Sequence, residues 1–314
     1  MKIIADVDFL NFIGKQESQF IQSKDAWTDE VKDYMAHGVK LFGDELPWPA
    51  THDKVRLRPG EVTLWAGING HSKSLLSGQS ALWLSPHTKV LIASLEMKPR
   101  DTLTRMIRQA YGLNRVSPAE IDEFMTFKSD GMFIYDQSDS VSCDRILGMV
   151  HYAAQELGVN HVFIDSLMKC GIGTDDYNGQ KDFVDRLCWA AKAENIHVHL
   201  VLHMRKGRDE AEAPGKFDVK GASEITDLVD NLFIVHRNKA KEAQIENGEI
   251  PPLDEPDALL TVAKQRHGEW EGGIKLWFHP ASLQYLETPN RAAMDFWRHA
   301  TAVEPVKALM QVAQ

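Results

Sequence analysis

A chain of 314 residues, 43% hydrophobic and 25% charged, has the make-up of a soluble globular protein, with room for one large domain and extensions or for two small domains. A formal net charge of −10 excludes a surface that is basic throughout, so any nucleic-acid site must be a local feature. Three cysteines (Cys143, Cys170, Cys188), odd in number and at no metal-ligand spacing, exclude a disulfide framework, and no apolar run approaches the ~20 residues of a membrane span.

The first residues, Met1 to Asp8, lack a signal-peptide pattern, and their early acids argue against a transit peptide, so a reducing cytoplasm is the expected location. Residues 25–37 place Trp27, Val31, Tyr34 and Met35 at helical spacing before Gly38, which supplies a stop. So short a helix does not hold itself up in water and is expected to dock on its own core or on a neighbouring subunit. Leu46-Pro47-Trp48-Pro49 reads as a rigid linker, because each proline fixes φ.

From Arg58 onward the pattern alternates. Apolar runs predict strands at 61–66, 88–95, 132–135, 161–165, 196–202, 231–236, 258–264 and 273–279. Helices are predicted at 73–85, 99–112, 117–128, 142–157 and 179–194. Strands separated by helices imply an α/β fold with a mainly parallel sheet covered on both faces. The last three runs lack long helices between them, which predicts antiparallel strands at the carboxy-terminal edge. The tail after Pro289 carries Ala293, Met294, Phe296 and Trp297 at helical spacing, for core packing or for a partner.

The first strand leads into Gly67-Ile68-Asn69-Gly70-His71-Ser72-Lys73-Ser74, and a helix opens on Lys73-Ser74. Strand, glycine-bearing loop and helix form a phosphate cradle, since backbone N–H groups and the helix dipole converge on one spot. Lys73 would reach the β- and γ-phosphates of ATP, and Ser74 would ligate Mg²⁺. Ser72 stands where the pattern has its second glycine, and a serine there is expected to be forced toward positive φ. The plainer reading is a glycine turn before an ordinary helix.

Three later strands end in polar residues. Glu96 closes Val90-Leu91-Ile92-Ala93-Ser94-Leu95, where a carboxylate beside the ligand crevice could orient and deprotonate water. Asp165 closes His161-Val162-Phe163-Ile164, the place of a residue that holds the metal directly or through water. His203 ends the next run, where a γ-phosphate sensor would sit. Taken singly, each could also be a solvent-facing or merely structural residue. Between His203 and Ile225 the long polar segment has five cations against four anions, so it is no basic patch, though it could present a few cations to a strand of phosphates. Lys264 and Arg266 lie one residue apart on one face of a strand, either as a charged edge or as a finger toward a neighbour's nucleotide.

In this order, Gly-x-x-Gly-x-Ser-Lys-Ser, Ser-Leu-Glu-Met, Phe-Ile-Asp-Ser, Leu-Val-Leu-His, Asp-Val-Lys-Gly-Ala-Ser-Glu-Ile and Ala-Lys-Gln-Arg-His-Gly, the motifs resemble the RecA-type motor domain of DnaB-like replicative helicases over about residues 46–287. His203 is closer to the phage primase–helicase and Twinkle branch, without a primase module ahead of the motor. The resemblance implies a RecA-like P-loop NTPase fold, with an extension and subunit-docking linker helix in 1–45, a motor in 46–288 and a tail in 289–314. It implies ATP and Mg²⁺ as ligands, held by Gly67, Asn69, Gly70, His71, Ser72, Lys73 and Ser74, with Asp165 on the metal and Arg105 near the nucleotide. Glu96 is then the catalytic base, His203 the sensor, and Lys264 and Arg266 act in trans. Lys206, Arg208, Lys216, Lys220 and Gly221 would touch single-stranded DNA. Also implied are a homo-oligomeric ring of six, 5′–3′ translocation, a primase, polymerase or single-strand-binding protein as partner, and a bacterial host cytoplasm for a phage protein. Two other readings are a RecA/RadA-like ATPase that does not unwind, and an assembly protein gated by nucleotide binding.

Overall fold

The computed structural model describes residues 23–37, 42–127, 130–137, 140–173, 175–204, 223–290 and 292–296. Helix α1 spans Thr28–His37, and Val31 and Met35 along it are exposed, as is Trp27 just before it. The remaining elements, in chain order, are β1 Val62–Ile68, α2 Lys73–Leu84, β2 Val90–Ser94, α3 Pro99–Tyr111, α4 Pro118–Thr126, β3 Met132–Ile134, α5 Cys143–Leu157, β4 His161–Asp165, α6 Tyr177–Glu194 and β5 His197–Met204. They continue with α7 Ser223–Leu228, β6 Asn231–Arg237, α8 Lys239–Glu246, β7 Ala258–Gln265, β8 Gly272–His279 and β9 Gln284–Leu286.

The strands form one sheet in the order β3-β2-β4-β5-β1-β6-β7-β8-β9. The first five pairings are parallel and the last three antiparallel. This is the expected α/β arrangement, with its antiparallel edge. β1 is buried at every position, which suits a central strand covered on both faces. Its side chains divide by the period of two: Val62, Leu64 and Ala66 join the core under α5 and α6, and Trp65 joins the core under α2 and α3.

Helix ends follow local chemistry. Ser117 and Glu120 make a reciprocal capping box at α4, Asp176 caps α6 through the Gly179 amide at 2.9 Å, and Gly112 and Gly158 stop α3 and α5 in the left-handed conformation. Three elements had no sequence signal. Helix α7 has six residues, α8 eight, and β9 three, all shorter than a periodic pattern needs.

Leu46-Pro47-Trp48-Pro49 is not a spacer. Leu46 and Trp48 are buried with Val55 and Leu57, and the Trp48 indole donates to the Tyr285 carbonyl at 2.9 Å. The expected helix after Pro289 is absent over 292–295, and Phe296 packs on Trp83 in an edge-to-face contact. A buried histidine chain ties residue 44 to the sheet. The Trp65 indole donates to His199 Nδ1, so His199 Nε2 carries a proton toward His161 Nδ1, and His161 Nε2 donates to Asp44. His197 is likewise fixed neutral between the Arg58 carbonyl and the Thr63 hydroxyl. Among the described residues no helix is long and apolar enough to cross a membrane.

Candidate active site

The cradle is built by β1 and α2. A Cβ on Gly67 would meet the Val235 carbonyl oxygen at 2.5 Å, so only glycine lets the strand approach β6 there. Asn69 and Gly70 are exposed at the loop tip, and Gly70 has φ +81°. Ser72 has φ 65° and ψ 21°, the left-handed conformation expected of it, which costs a non-glycine residue about 1–2 kcal/mol. His71 is buried, and its Nδ1 accepts the Arg237 amide at 3.0 Å.

Lys73 opens α2 with no acid in the first turn. Its side chain is buried and donates to the carbonyls of Gly67 at 2.8 Å and Ile68 at 2.9 Å. Burial pulls the ammonium down to about 8, against the pull of Asp165 and Glu96. A buried ammonium that donates to two carbonyls at the opening of a helix is placed to bind an anion.

Strand order assembles the rest. β2, β4, β5 and β1 are neighbours, with Ser94 level with Asp165 and Gly67 level with His203. Glu96, Asp165 and His203 therefore gather beside Lys73 at the carboxyl ends of parallel strands, where ligands bind in open α/β sheets. One ligating atom from each lies within 4.8 Å of the others. Glu96 Oε1 accepts from the Ser166 hydroxyl at 2.6 Å and pairs with His203 Nε2 at 3.2 Å. The His203 bond, aided by Ser166, holds the Glu96 carboxyl down to about 2, so it is ionised at neutral pH.

Asp165 behaves in the opposite sense. Burial raises its carboxyl, while the hydrogen bond from Ser74 opposes the rise. Its Oδ1 is buried without a hydrogen-bond partner, as is His203 Nδ1. A desolvated carboxylate oxygen without a hydrogen-bond donor, next to a helix-opening hydroxyl, fits a hard divalent cation such as Mg²⁺. Arg105, on α3, lines a cavity together with Ser74, Ser94, Met97 and Asp165.

Lys264 and Arg266 are not in this group. Lys264 donates to the carbonyls of Thr226, Asp227 and Val229, and Arg266 pairs with Asp230 at 3.2 Å and donates to the Leu228 carbonyl at 2.9 Å. Both grip the carboxyl end of α7. Gln265 is level with Asn231, and Asn231 with Thr63. Five residues of strand, about 16 Å at 3.3 Å per residue, separate that level from the start of the loop. These cations cannot reach the cradle of their own chain. Arg205, Lys206, Arg208, Lys216, Lys220 and Gly221 lie outside the described residues.

Sequence reasoning missed Ser166 and Tyr285. Ser166 follows Asp165 directly, and a hydroxyl at a strand end beside a carboxylate was the available signal. Tyr285 donates to Ser72 Oγ at 2.8 Å across 213 residues, and nothing local marks it.

A family model described as an AAA domain matches residues 40–209, and the chain belongs to that family. Its fold is the RecA-like fold of DnaB-like helicase motors. Superposition on a DnaB-like replicative helicase, described with its interactions with primase, gives a TM-score of 0.67 at 17% identity over 85% of this chain and 67% of that one. Superposition on a second solved structure, described as an ATPase domain, gives 0.71 at 15% identity over 84% of this chain and 97% of that one. In sequence the chain is 25% identical over 288 residues to the Twinkle homolog protein, chloroplastic/mitochondrial, of Arabidopsis thaliana, covering 85% of this chain and 40% of that protein. The chain thus spans about two fifths of the length of that relative.

Proposed function

We propose that this chain is the motor of an ATP-driven DNA helicase that works as a ring of six and moves 5′–3′ on single-stranded DNA. The observation that carries the reading is the gathering of Glu96, Asp165 and His203 beside Lys73, with Lys264 and Arg266 stationed at the other end of the sheet. Lys264 and Arg266 are too far from the cradle of their own chain to serve it, so a second copy would supply them.

Lys73 and the loop from Gly67 to Ser72 bind the phosphates, and Ser74 and Asp165 hold Mg²⁺. A cation held there would supply charge neutralisation to the phosphates. Glu96 is ionised and presents its carboxylate to the site, so it orients a water and takes its proton. His203 and Ser166 hold that carboxylate in place. Arg105 lies on the α3 side of the cavity and adds positive charge. Arg266 of a neighbouring subunit, with Lys264, stabilises charge that develops in the transition state. The segment after His203, with Lys206, Arg208, Lys216, Lys220 and Gly221, contacts the strand, which couples His203 to DNA. Helix α1 docks on an adjacent subunit through the exposed Trp27, Val31 and Met35. A primase, polymerase or single-strand-binding protein is the expected company of such a motor, in the cytoplasm.

Phosphate release with and without oligo-dT, strand separation on a fork with a 5′ tail, and particle mass with a non-hydrolysable ATP analogue test this together. The expected result is DNA-stimulated hydrolysis, fork opening and a hexamer. DNA-stimulated hydrolysis without fork opening points to a RecA/RadA-like role, and a monomer indifferent to DNA overturns the reading.

A further inference from the structure

Ser72 is the position at which the cradle departs from its own pattern, and its environment explains how the departure is tolerated. Ser72 precedes α2, where a serine side chain ordinarily accepts a hydrogen bond from an amide of the first turn. Here it caps no amide, because the left-handed backbone turns the side chain away. Its Oγ instead accepts the Tyr285 hydroxyl at 2.8 Å.

Tyr285 is aimed with care. It is buried, and its ring packs on Phe278 with centroids 5.0 Å apart. The Gln79 side chain clasps its backbone, donating to the carbonyl at 2.9 Å and accepting the amide at 2.9 Å, and the Trp48 indole donates to the same carbonyl. Gln79 stands seven residues beyond Ser72, two turns along α2 and on the same side of the helix. The helix that opens at the cradle therefore holds the tyrosine that holds the cradle.

We propose that Tyr285 is a positioning residue for the nucleotide cradle, and that its hydroxyl locks Ser72 in the left-handed conformation a glycine would adopt unaided. The proposal rests on the reading of residues 67–74 as a phosphate site. Without the lock, Ser72 relaxes toward negative φ and turns the first amides of α2 away from their common focus. Since Ser72 Oγ accepts from Tyr285, its own proton remains to be donated to a phosphate oxygen, a contact that glycine cannot make.

The test compares Tyr285→Phe, Ser72→Gly and the double variant in the full chain. Amide hydrogen exchange of residues 70–74 is followed without nucleotide, and the dissociation constant of a fluorescent ADP with Mg²⁺ is measured separately. Tyr285→Phe is expected to speed exchange at these amides and to weaken binding about fivefold to tenfold, the worth of one hydrogen bond. In the Ser72→Gly background the same change is expected to do nothing. Ser72→Ala keeps the strained Cβ and removes the acceptor, so it should reproduce Tyr285→Phe and serves if that variant folds poorly. Equal effects of Tyr285→Phe in both backgrounds, or no effect with Ser72 present, overturn the proposal. If exchange responds as described but no form binds ADP, the lock stands and the nucleotide reading falls.

Discussion

The two ends of the central strands are built to different standards. At the end where β1 begins, the buried carboxylates are satisfied. Glu61 accepts from the Asn231 side chain at 2.9 Å, pairs with His267 at 2.8 Å and lies 3.6 Å from Arg58, while Asp230 accepts the Val62 amide at 2.9 Å and pairs with Arg266. At the end where β1, β2, β4 and β5 stop, Asp165 keeps an unpartnered buried oxygen, and Lys73 rests on carbonyls of its own loop. A carboxylate oxygen buried without a partner is destabilising, so a cation bound at Asp165 would recover free energy there, whereas Asn231 Oδ1 and Gln265 Oε1, buried without partners at the first end, belong to neutral amides. The first end holds the fold together; the second keeps its charges available.

Substitutions can break that contrast, and the largest effect is expected at Arg266, which the proposed ring would bring to the cradle of a neighbouring subunit. Arg266→Ala should lower the turnover of the ring by about 10³- to 10⁵-fold. Mixing it with Lys73→Ala subunits should restore hydrolysis, since some interfaces then pair an intact cradle with an intact finger. Absence of rescue in a phosphate-release titration would mean the residue acts only through its own α7. Next, Glu96→Gln should reduce kcat by about 10²- to 10⁴-fold while nucleotide binding and assembly persist. Normal turnover in that variant rules out Glu96 as the base.

Two stability measurements sharpen the difference further. Glu61→Ala removes the carboxylate beside the buried Arg58 and should destabilise the fold by about 3 kcal/mol in denaturant titration. Asp165→Asn should do the reverse, raising Tm by a few degrees because it neutralises a desolvated carboxylate, while it abolishes Mg²⁺-dependent nucleotide binding. If both variants lose stability alike, the two ends are not built differently.

The smallest expected effect is a slope in pH. Burial holds His197 down to about 3 and His199 well below its ordinary value, both neutral in the fold. Unfolded, they bind protons below about 6.5. Their contribution is thus fully present above pH 6.5 and is lost as pH falls from there toward 3, at about 1.4 kcal/mol per pH unit for each histidine. His199→Gln should flatten that slope in pH-dependent denaturant melts, and an unchanged slope would assign acid sensitivity elsewhere.

Much of this molecule was legible in its sequence for a physical reason: the signals are local. A buried strand, a tight glycine loop and a helix opening on Lys73-Ser74 follow one another within a few residues, and the strained serine was foreseeable from chirality alone. Apolar runs leading up to Glu96, Asp165 and His203 marked the neighbourhood of the strand ends, because a polar side chain interrupts a buried run. What tertiary structure decided was adjacency. Only the order β2-β4-β5-β1 brings those three ends beside Lys73, and only β7 running antiparallel to β6 sends Lys264 and Arg266 to the far end. Strand order depends on which buried faces can pack together, and no short window of sequence records that. The same holds for Tyr285 on β9, three residues long, whose hydroxyl meets Ser72 through the packing of α2 against the sheet edge.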